Sequence, residues 1–277
     1  MIGTRFAPSP TGLLHLGHAF AAITAREAGE RFVVRIEDID SSRCREEFVA
    51  AIVEDLAWLG LNWEEPVMRQ SMRMGAYQSA LEKLQRAGLS YPCFCTRKDI
   101  ADEIARAVEA PHGPDGPAYP GTCRNLSEPK RQERLASGAP YALRLDVAKA
   151  MAVAGQLTFQ EQGQGPNGEC GTIEVRATGD VVLARKDFPA AYHLAVVVDD
   201  AHQNISLVTR GNDLFESTHI HRLLQQLLGL PEPRYQHHRL IVDAQGKKFS
   251  KRDGAVTLQA LRAAGATPRS VRNQLGL

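Results

Sequence analysis

The 277-residue sequence has no unbroken apolar run of 18 residues, no internal repeat, and no basic-then-apolar layout over residues 1–15. These gaps predict neither a membrane-spanning helix nor a secretory leader, so the expected compartment is the cytoplasm. Aromatic residues are scarce at 6%, yet 43% apolar content and a mean hydropathy of −0.27 suit a globular chain with a full core. Net charge is also missing: 33 Lys and Arg stand against 32 Asp and Glu, leaving +1. Any polyanionic partner must be met by local patches. The five cysteines, two of them as Cys93-x-Cys95, are too few for a disulfide framework. They fit thiols that bind metal or stay buried.

The richest stretch is residues 5–18, RFAPSPTGLLHLGH. Pro8 and Pro10 fix φ and keep the preceding residues extended until Thr11-Gly12 lets the chain turn. A helix is expected from near Leu13, with His15 and His18 on one face of its first turn and Gly17 leaving room for a flat ring. Its N–H groups and dipole favour phosphate, and imidazoles can donate to phosphate oxygens. The alternative is a surface helix that carries two histidines and a glycine.

A strand at 2–6, a helix at about 14–28 and a strand at 31–37 make a βαβ unit, which implies a parallel sheet with ligands at the carboxyl ends of its strands. Ser41 or Ser42 is expected to cap a helix whose Phe48, Ile52, Leu56 and Leu59 repeat at helical spacing, and a further helix is expected over about 72–87. Composition changes after Tyr91: PHGPDGPAYPGTC places four prolines and three glycines between 111 and 121. Short strands at 141–146, 157–160 and 172–185 predict an insertion that ends as antiparallel β. The Rossmann pattern is expected to resume with HLAVVV at 193–198 running into Asp199-Asp200. ISLVTRG at 205–211, a helix carrying Leu223, Leu224, Leu227 and Leu228, and a strand near 238–242 follow. Helices at 257–264 and 268–275 close the chain. The expected class is α/β, a Rossmann-type parallel sheet with an α+β insertion: residues 1–90 and 176–256 form the Rossmann domain, 91–175 the insertion and 257–277 a C-terminal helical segment.

Gly246 to Arg252 holds four cationic side chains in seven residues. Such a loop is either a solvated basic segment or a clamp for phosphate. Together with the histidine turn it suits a triphosphate cleaved between its α and β phosphorus atoms. At this point the chain resembles class I aminoacyl-tRNA synthetases, with His15-Leu16-Gly17-His18 as the HIGH motif and Lys248-Phe249-Ser250-Lys251-Arg252 as the KMSKS motif. RFAPSPTG and RIED narrow the resemblance to the glutamyl branch, and it spans residues 3–256. The chain ends 25 residues after Arg252, where full-length glutamyl enzymes carry an anticodon-binding region. Val196 also follows Tyr192-His193-Leu194-Ala195, where those enzymes usually have Asn. Both features are similar to the shortened paralogues that glutamylate queuosine in tRNA(Asp).

The resemblance implies ATP with Mg²⁺ bound through Pro8, His15, Gly17, His18, Ser250 and Lys251, with His15, His18, Lys248 and Lys251 as catalytic groups. It implies a glutamate pocket of Arg5, Phe6, Ala7, Pro8, Ser9, Glu37, Tyr192 and Arg210. Two guanidiniums suit a substrate with two carboxylates, and Glu37 offers a counter-charge for the α-ammonium. Without the family, Arg210 and Glu37 taken singly read first as members of surface ion pairs; with it, the pocket reading takes precedence. The resemblance further implies a structural zinc on Cys93, Cys95, Tyr119 and Cys123, with His112 as the competing fourth ligand. Cys44 and Cys170 read as plain thiols, and His193, His202, His237 and His238 as structural or solvent-facing. The implied activity is formation of glutamyl-adenylate from L-glutamate and ATP, then transfer to the queuosine base of tRNA(Asp), by a monomer. Rival readings are a truncated glutamyl-tRNA synthetase, another HxGH adenylate-forming or nucleotidyltransferase enzyme, and a synthetase-derived RNA-binding module.

Overall fold

The computed structural model describes residues 1–96, 98–100, 119–185, 190–242 and 256–277, with the backbone of 112–113 and 116–117. Strand β1 (Gly3–Phe6), helix α1 (Leu16–Ala28) and strand β2 (Arg31–Ile36) form the expected βαβ unit, with β1 and β2 parallel. Helix α1 starts later than Leu13 because His15 is still extended, at φ −128° and ψ 177°, and acts as the N-cap. Helix α2 (Glu46–Trp58) carries the chain to β3 (Glu64–Arg69), which adds to β2 in parallel. Neither Ser41 nor Ser42 caps α2. Its N-cap is Arg45, with no side-chain bond, and Ser42 donates to Asp40 instead. Glu46 and Glu47 in the first turn meet the positive end of the dipole.

Helix α3 (Met74–Arg86) leads to β4 (Ser90–Cys93), where the insertion begins. The insertion contains the paired β5 (His112–Gly113) and β6 (Gly116–Pro117), then helix α4 (Glu128–Ala136), β7 (Ala142–Leu145) and helix α5 (Val147–Ala154). Strands β8 (Thr158–Glu161), β9 (Gly171–Glu174) and β10 (Val182–Arg185) follow. Strand β7 pairs antiparallel with both β4 and β10, as expected for this region. Strands β8 and β9 are also antiparallel to each other.

The run at 193–198 is not part of a strand. It lies inside helix α6 (Tyr192–His202), with Leu194, Ala195, Val196 and Val197 all buried. A short continuous apolar run has no period to separate strand from helix when every face is enclosed. Strand β11 (Leu207–Gly211), helix α7 (Phe215–Leu228) and strand β12 (Arg234–His238) follow, so the last strand ends where it was expected to begin. Strand β12 is parallel to β11 on one side and to β8 on the other, through Tyr235 opposite Glu161, which ties the insertion into this sheet. The two sheets meet at β1 and β11, where the Ser206 N–H donates to the Gly3 carbonyl at 3.0 Å. The carboxyl ends of these strands frame a crevice, the usual ligand position in such folds.

Helices α8 (Leu258–Ala263) and α9 (Pro268–Leu275) pack Leu258, Val271 and Leu275 into the core built by Phe6, Leu14, Phe20 and Ile52. Fully burying side chains of this size contributes about 1.5–3 kcal/mol each, which holds the chain's end against α1. Among the described residues no helix is long and apolar enough to cross a membrane.

Candidate active site

A cleft of about 670 Å³ opens at the carboxyl ends of β1 and β11. Arg5, Phe6, Ala7, Ser9, His15, Gly17, His18, Glu37, Tyr192 and Arg210 all line it. Pro8 is buried, and its carbonyl accepts the Glu37 N–H at 3.0 Å. Lys248, Ser250 and Lys251 lie outside the described residues. The chain on either side of them reaches the cleft: Arg239, Leu240 and Ile241 line it, Thr257 pairs antiparallel with His15, and the Leu258 N–H donates to the Leu14 carbonyl at 2.8 Å.

The two histidines of the HLGH turn make the helix cap themselves. The Gly17 N–H donates to His15 Nδ1 at 3.1 Å, and the His15 N–H donates to His18 Nδ1 at 3.2 Å. Both Nδ1 lone pairs are thereby used, which assigns the proton of each neutral ring to Nε2. Gly17 fits closely here, because a Cβ would lie 3.1–3.2 Å from the His15 ring and the ring would have to shift to admit it. The rings lie 3.8 Å apart, centroid to centroid, on the cleft wall. Two imidazole N–H groups at a helix N-terminus are the donors that an anion needs.

The two predicted arginines differ in their surroundings. Arg5 is buried and already paired: its Nε donates to Asp200 Oδ1 at 3.1 Å and its Nη1 to the Thr209 carbonyl at 3.0 Å. Asp200 and Asp199 come from the last turns of α6, where the helix dipole disfavours negative charge. A set of arginines compensates. Arg35 donates to Asp200 at 2.8 Å, Arg73 donates to Asp199 at 2.7 Å, and Gln70 and Tyr77 also donate to Asp199. Burial opposes the Asp200 charge, but Arg5 and Arg35 outweigh it and hold its carboxyl below the ordinary range. Glu37 lies 3.6 Å from Arg35 Nη2 at the edge of this group. Burial pushes its carboxyl up to about 7, against the pull of Arg35 and Arg5.

Among the described residues, Arg210 has no such carboxylate. Its Nη1 donates to His221 Nδ1 at 2.9 Å, its Nη2 to the Thr218 hydroxyl at 2.6 Å and its Nε to His237 Nε2 at 3.2 Å. Arg210 as a residue is 5% exposed, and its guanidinium carbon lies 5.5 Å from the Tyr235 ring centroid. Burial and the Arg210 charge hold His221 well below the usual histidine value, and burial lowers His237 although Glu161 favours its charged form. Neutral rings therefore accept from a cation, and the cation keeps its charge for something else.

Thr218, His221, Glu161, Arg35, Asp199 and Asp200 were not singled out from the sequence. Only the i, i+3 spacing of Thr218 and His221 on a helix following Arg210 carried a signal, and that spacing reads equally as core. His237 and His193 are buried in this network, His238 lines the cleft against Phe20, and His202 is exposed.

In the insertion, Cys93, Cys95 and Cys123 bring their sulfurs within 4.8 Å of one another. Cys95 Sγ lies 3.4 Å from both Cys123 Sγ and the Tyr119 hydroxyl oxygen, and all are free of disulfides. Burial pushes the Cys95 thiol up to about 12, so its thiolate needs a neighbouring positive charge. Three soft donors and a phenol oxygen converging on one point fit a tetrahedral cation. The side chain of His112 lies outside the described residues. Cys44 and Cys170 stand apart from this cluster.

A sequence model of the catalytic domain of class I tRNA synthetases (E and Q) matches residues 1–277. A glutamyl-Q tRNA(Asp) synthetase of Rhodobacter capsulatus is 50% identical over 283 residues, spanning 99% of each chain. One of Nocardia farcinica is 44% identical over 96% of this chain and 81% of its own. The crystal structure of a glutamate tRNA ligase from Elizabethkingia meningosepticum, in complex with its amino acid, superposes with a TM-score of 0.71 at 29% identity over 91% of this chain. This chain spans about half of that protein, 52%. With a cleft that joins a histidine-capped helix start to a buried arginine, and a family match along its whole length, the chain belongs to the class I tRNA synthetases that serve glutamate and glutamine.

Proposed function

We propose that this chain is an ATP-dependent glutamyl ligase that forms glutamyl-adenylate and passes the glutamyl group to the queuosine base in the anticodon of tRNA(Asp). The observation that carries the reading is the opposition, in one cleft, of the HLGH donors and an arginine whose hydrogen bonds among the described residues go to Thr218, His221 and His237 and to no carboxylate. The reacting α-carboxylate must stay mobile enough to attack phosphorus, so the buried Arg210 fork falls to the side-chain carboxylate. Arg5 steadies the substrate from its pairing with Asp200, and Tyr192 and Ser9 close the pocket. Glu37 in its charged form takes the α-ammonium.

An α-carboxylate oxygen then attacks the α-phosphorus of ATP in line, and the bond to the β-phosphate oxygen breaks to release pyrophosphate. His15 and His18 donate to the phosphates, and the resemblance of Lys248 to Arg252 to the KMSKS motif assigns Lys248, Ser250 and Lys251 to the same phosphates. Catalysis is positioning plus stabilisation of charge. Mg²⁺, when bound to the triphosphate, neutralises charge on the leaving pyrophosphate. In the second step a queuosine hydroxyl attacks the acyl carbon, AMP leaves, and the hydroxyl proton is lost. The targeting of queuosine rests on the named relatives, which align with nearly all of this chain. Zinc on Cys93, Cys95 and Cys123, with Tyr119 fourth, pins a Pro/Gly-rich insertion. The proposed protein is a cytoplasmic monomer divided at 90, 175 and 256 as expected from its sequence.

Pyrophosphate exchange with each amino acid in the absence of RNA tests the first step: glutamate alone should support it. Two RNAs test the second, tRNA(Asp) lacking queuosine and a queuosine-bearing anticodon stem-loop without an acceptor arm. Glutamylation of the first, or none of the second when whole queuosine-containing tRNA(Asp) is modified, returns the protein to the truncated-synthetase reading.

A further inference from the structure

A buried carboxylate, Glu161, reaches the Arg210 cradle through the His237 imidazole. Glu161 comes from the end of β8, and its carboxylate is fully enclosed. Its Oε1 accepts the N–H groups of His237 at 2.9 Å and Gly163 at 2.8 Å, while its Oε2 faces His237 Nδ1 at 2.6 Å. The chain at Gly163 passes so close that a Cβ there would lie 2.2 Å from the His237 carbonyl oxygen. With Oε1 committed to two backbone donors, the carboxylate cannot turn. It offers Nδ1 an acceptor in one fixed direction.

We infer that Glu161 is a positioning residue for glutamate selection: it keeps the His237 proton on Nδ1, so that the Nε2 lone pair receives Arg210 Nε–H and the Thr218 hydroxyl. The inference rests on the role proposed for Arg210. A proton on Nε2 would instead oppose the Arg210 Nε–H at 3.2 Å and turn the guanidinium. Thr218 Oγ1, which accepts from Arg210 Nη2 and stands 3.2 Å from His237 Nε2, would lose the acceptor for its own proton. The relay through imidazole has a second effect. A carboxylate placed directly on Arg210 would compete with the substrate for the same fork, as Asp200 does at Arg5. Through His237 the carboxylate orients the fork, whose N–H partners among the described residues are the neutral acceptors His237, His221 and Thr218.

The test begins with the unmodified protein. Long-range ¹⁵N–¹H correlations of the His237 ring should place its proton on Nδ1, and an Nε2–H ring overturns the inference. In Glu161→Gln the carbonyl is held by the two backbone N–H groups, so the amide NH₂ faces Nδ1 and drives the proton to Nε2. The KM for glutamate in pyrophosphate exchange should rise roughly tenfold, as expected for loss of one charge-coupled hydrogen bond. The KM for ATP and kcat should stay within about twofold, because the phosphate corner is untouched. Glu161→Asp, which keeps an acceptor, should recover part of the loss. An unchanged glutamate KM in folded E161Q overturns the inference, and if E161Q does not fold, the tautomer in the unmodified protein decides. Failure of the unmodified protein to activate glutamate at all counts against the proposed function, and leaves the tautomer measurement standing as a separate result.

Discussion

On β2, Arg35 is fully buried among Asp199, Asp200 and Glu37; on β11, Arg210 is buried almost as deeply among Thr218, His221 and His237. Burial opposes the charge of Arg35, but its three carboxylates outweigh that and raise its pKa above the ordinary arginine value. That region closes its charge internally and serves as a keel for β1, β2, α3 and α6. The other region satisfies hydrogen bonds without satisfying charge. Desolvation of an uncompensated cation is costly, and a protein that retains one next to a cleft has kept an anion site ready. The same residue type thus closes its charge inside the fold in one place and, in the function proposed above, recognises substrate in the other, and the partners decide which.

Breaking the keel should have the largest effect. Arg35→Met leaves Asp199 and Asp200 short of cations in a closed site, and should lower unfolding stability by about 3–5 kcal/mol in urea titrations. Arg210→Met should invert the pattern. Glutamate binding should weaken by about 2–5 kcal/mol, while unfolding stability changes by no more than about 1–2 kcal/mol, since a buried charge is lost along with three hydrogen bonds. Equal stability losses in the two variants, measured side by side, would erase the distinction drawn here.

The third test is pH, read at Glu37. Its carboxyl is raised from 4.5 to about 7 in the folded protein, so between those values the native state holds a proton that the unfolded chain has released. Glu37 therefore makes stability fall as pH rises through that window, while glutamate binding improves as the carboxylate forms. Opposed slopes in calorimetry and in amino-acid titration should appear together, and Glu37→Gln should flatten both. The smallest effect on either arginine should come from the insertion. Cys95→Ser should release one zinc per chain in metal analysis and disorder residues around 93–123, leaving the glutamate KM within about twofold, because zinc sites of this kind supply local folding energy.

The sequence showed the HLGH turn, the βαβ unit and the cysteine cluster because each is written in closely spaced residues of restricted chemistry: prolines that fix φ, a glycine packed against an imidazole, thiols two apart. The helix at 192–202 stayed hidden because Leu194 to Val198 is apolar throughout, and burial on every side removes the period that would identify it. The last strand was placed too late because Arg234 to His238 reads as polar, whereas Tyr235 and His237 are buried and His237 bonds Arg210 and Glu161. Arg210 and Glu37 were found through resemblance, whereas Glu161, Thr218 and His221 were not found at all. Glu161 stands 49 residues before Arg210. Their meeting at His237 depends on β8 joining β12 in parallel, a long-range pairing that no local pattern announces.

The reciprocal cap made by His15 and His18 has a thermodynamic consequence of its own. A proton added at either Nδ1 would remove an acceptor that the start of α1 depends on, so helix order and proton binding oppose each other. A phosphate drawn to the Nε2–H donors favours the same tautomer that the cap requires. By linkage, nucleotide binding and the order of the first turn of α1 should then strengthen each other by an equal factor. In the proposed function the turn is then a reporter as well as a receptor: slower hydrogen exchange at the Gly17 and His18 amides on addition of ATP would measure occupancy of the phosphate corner without any chemistry taking place.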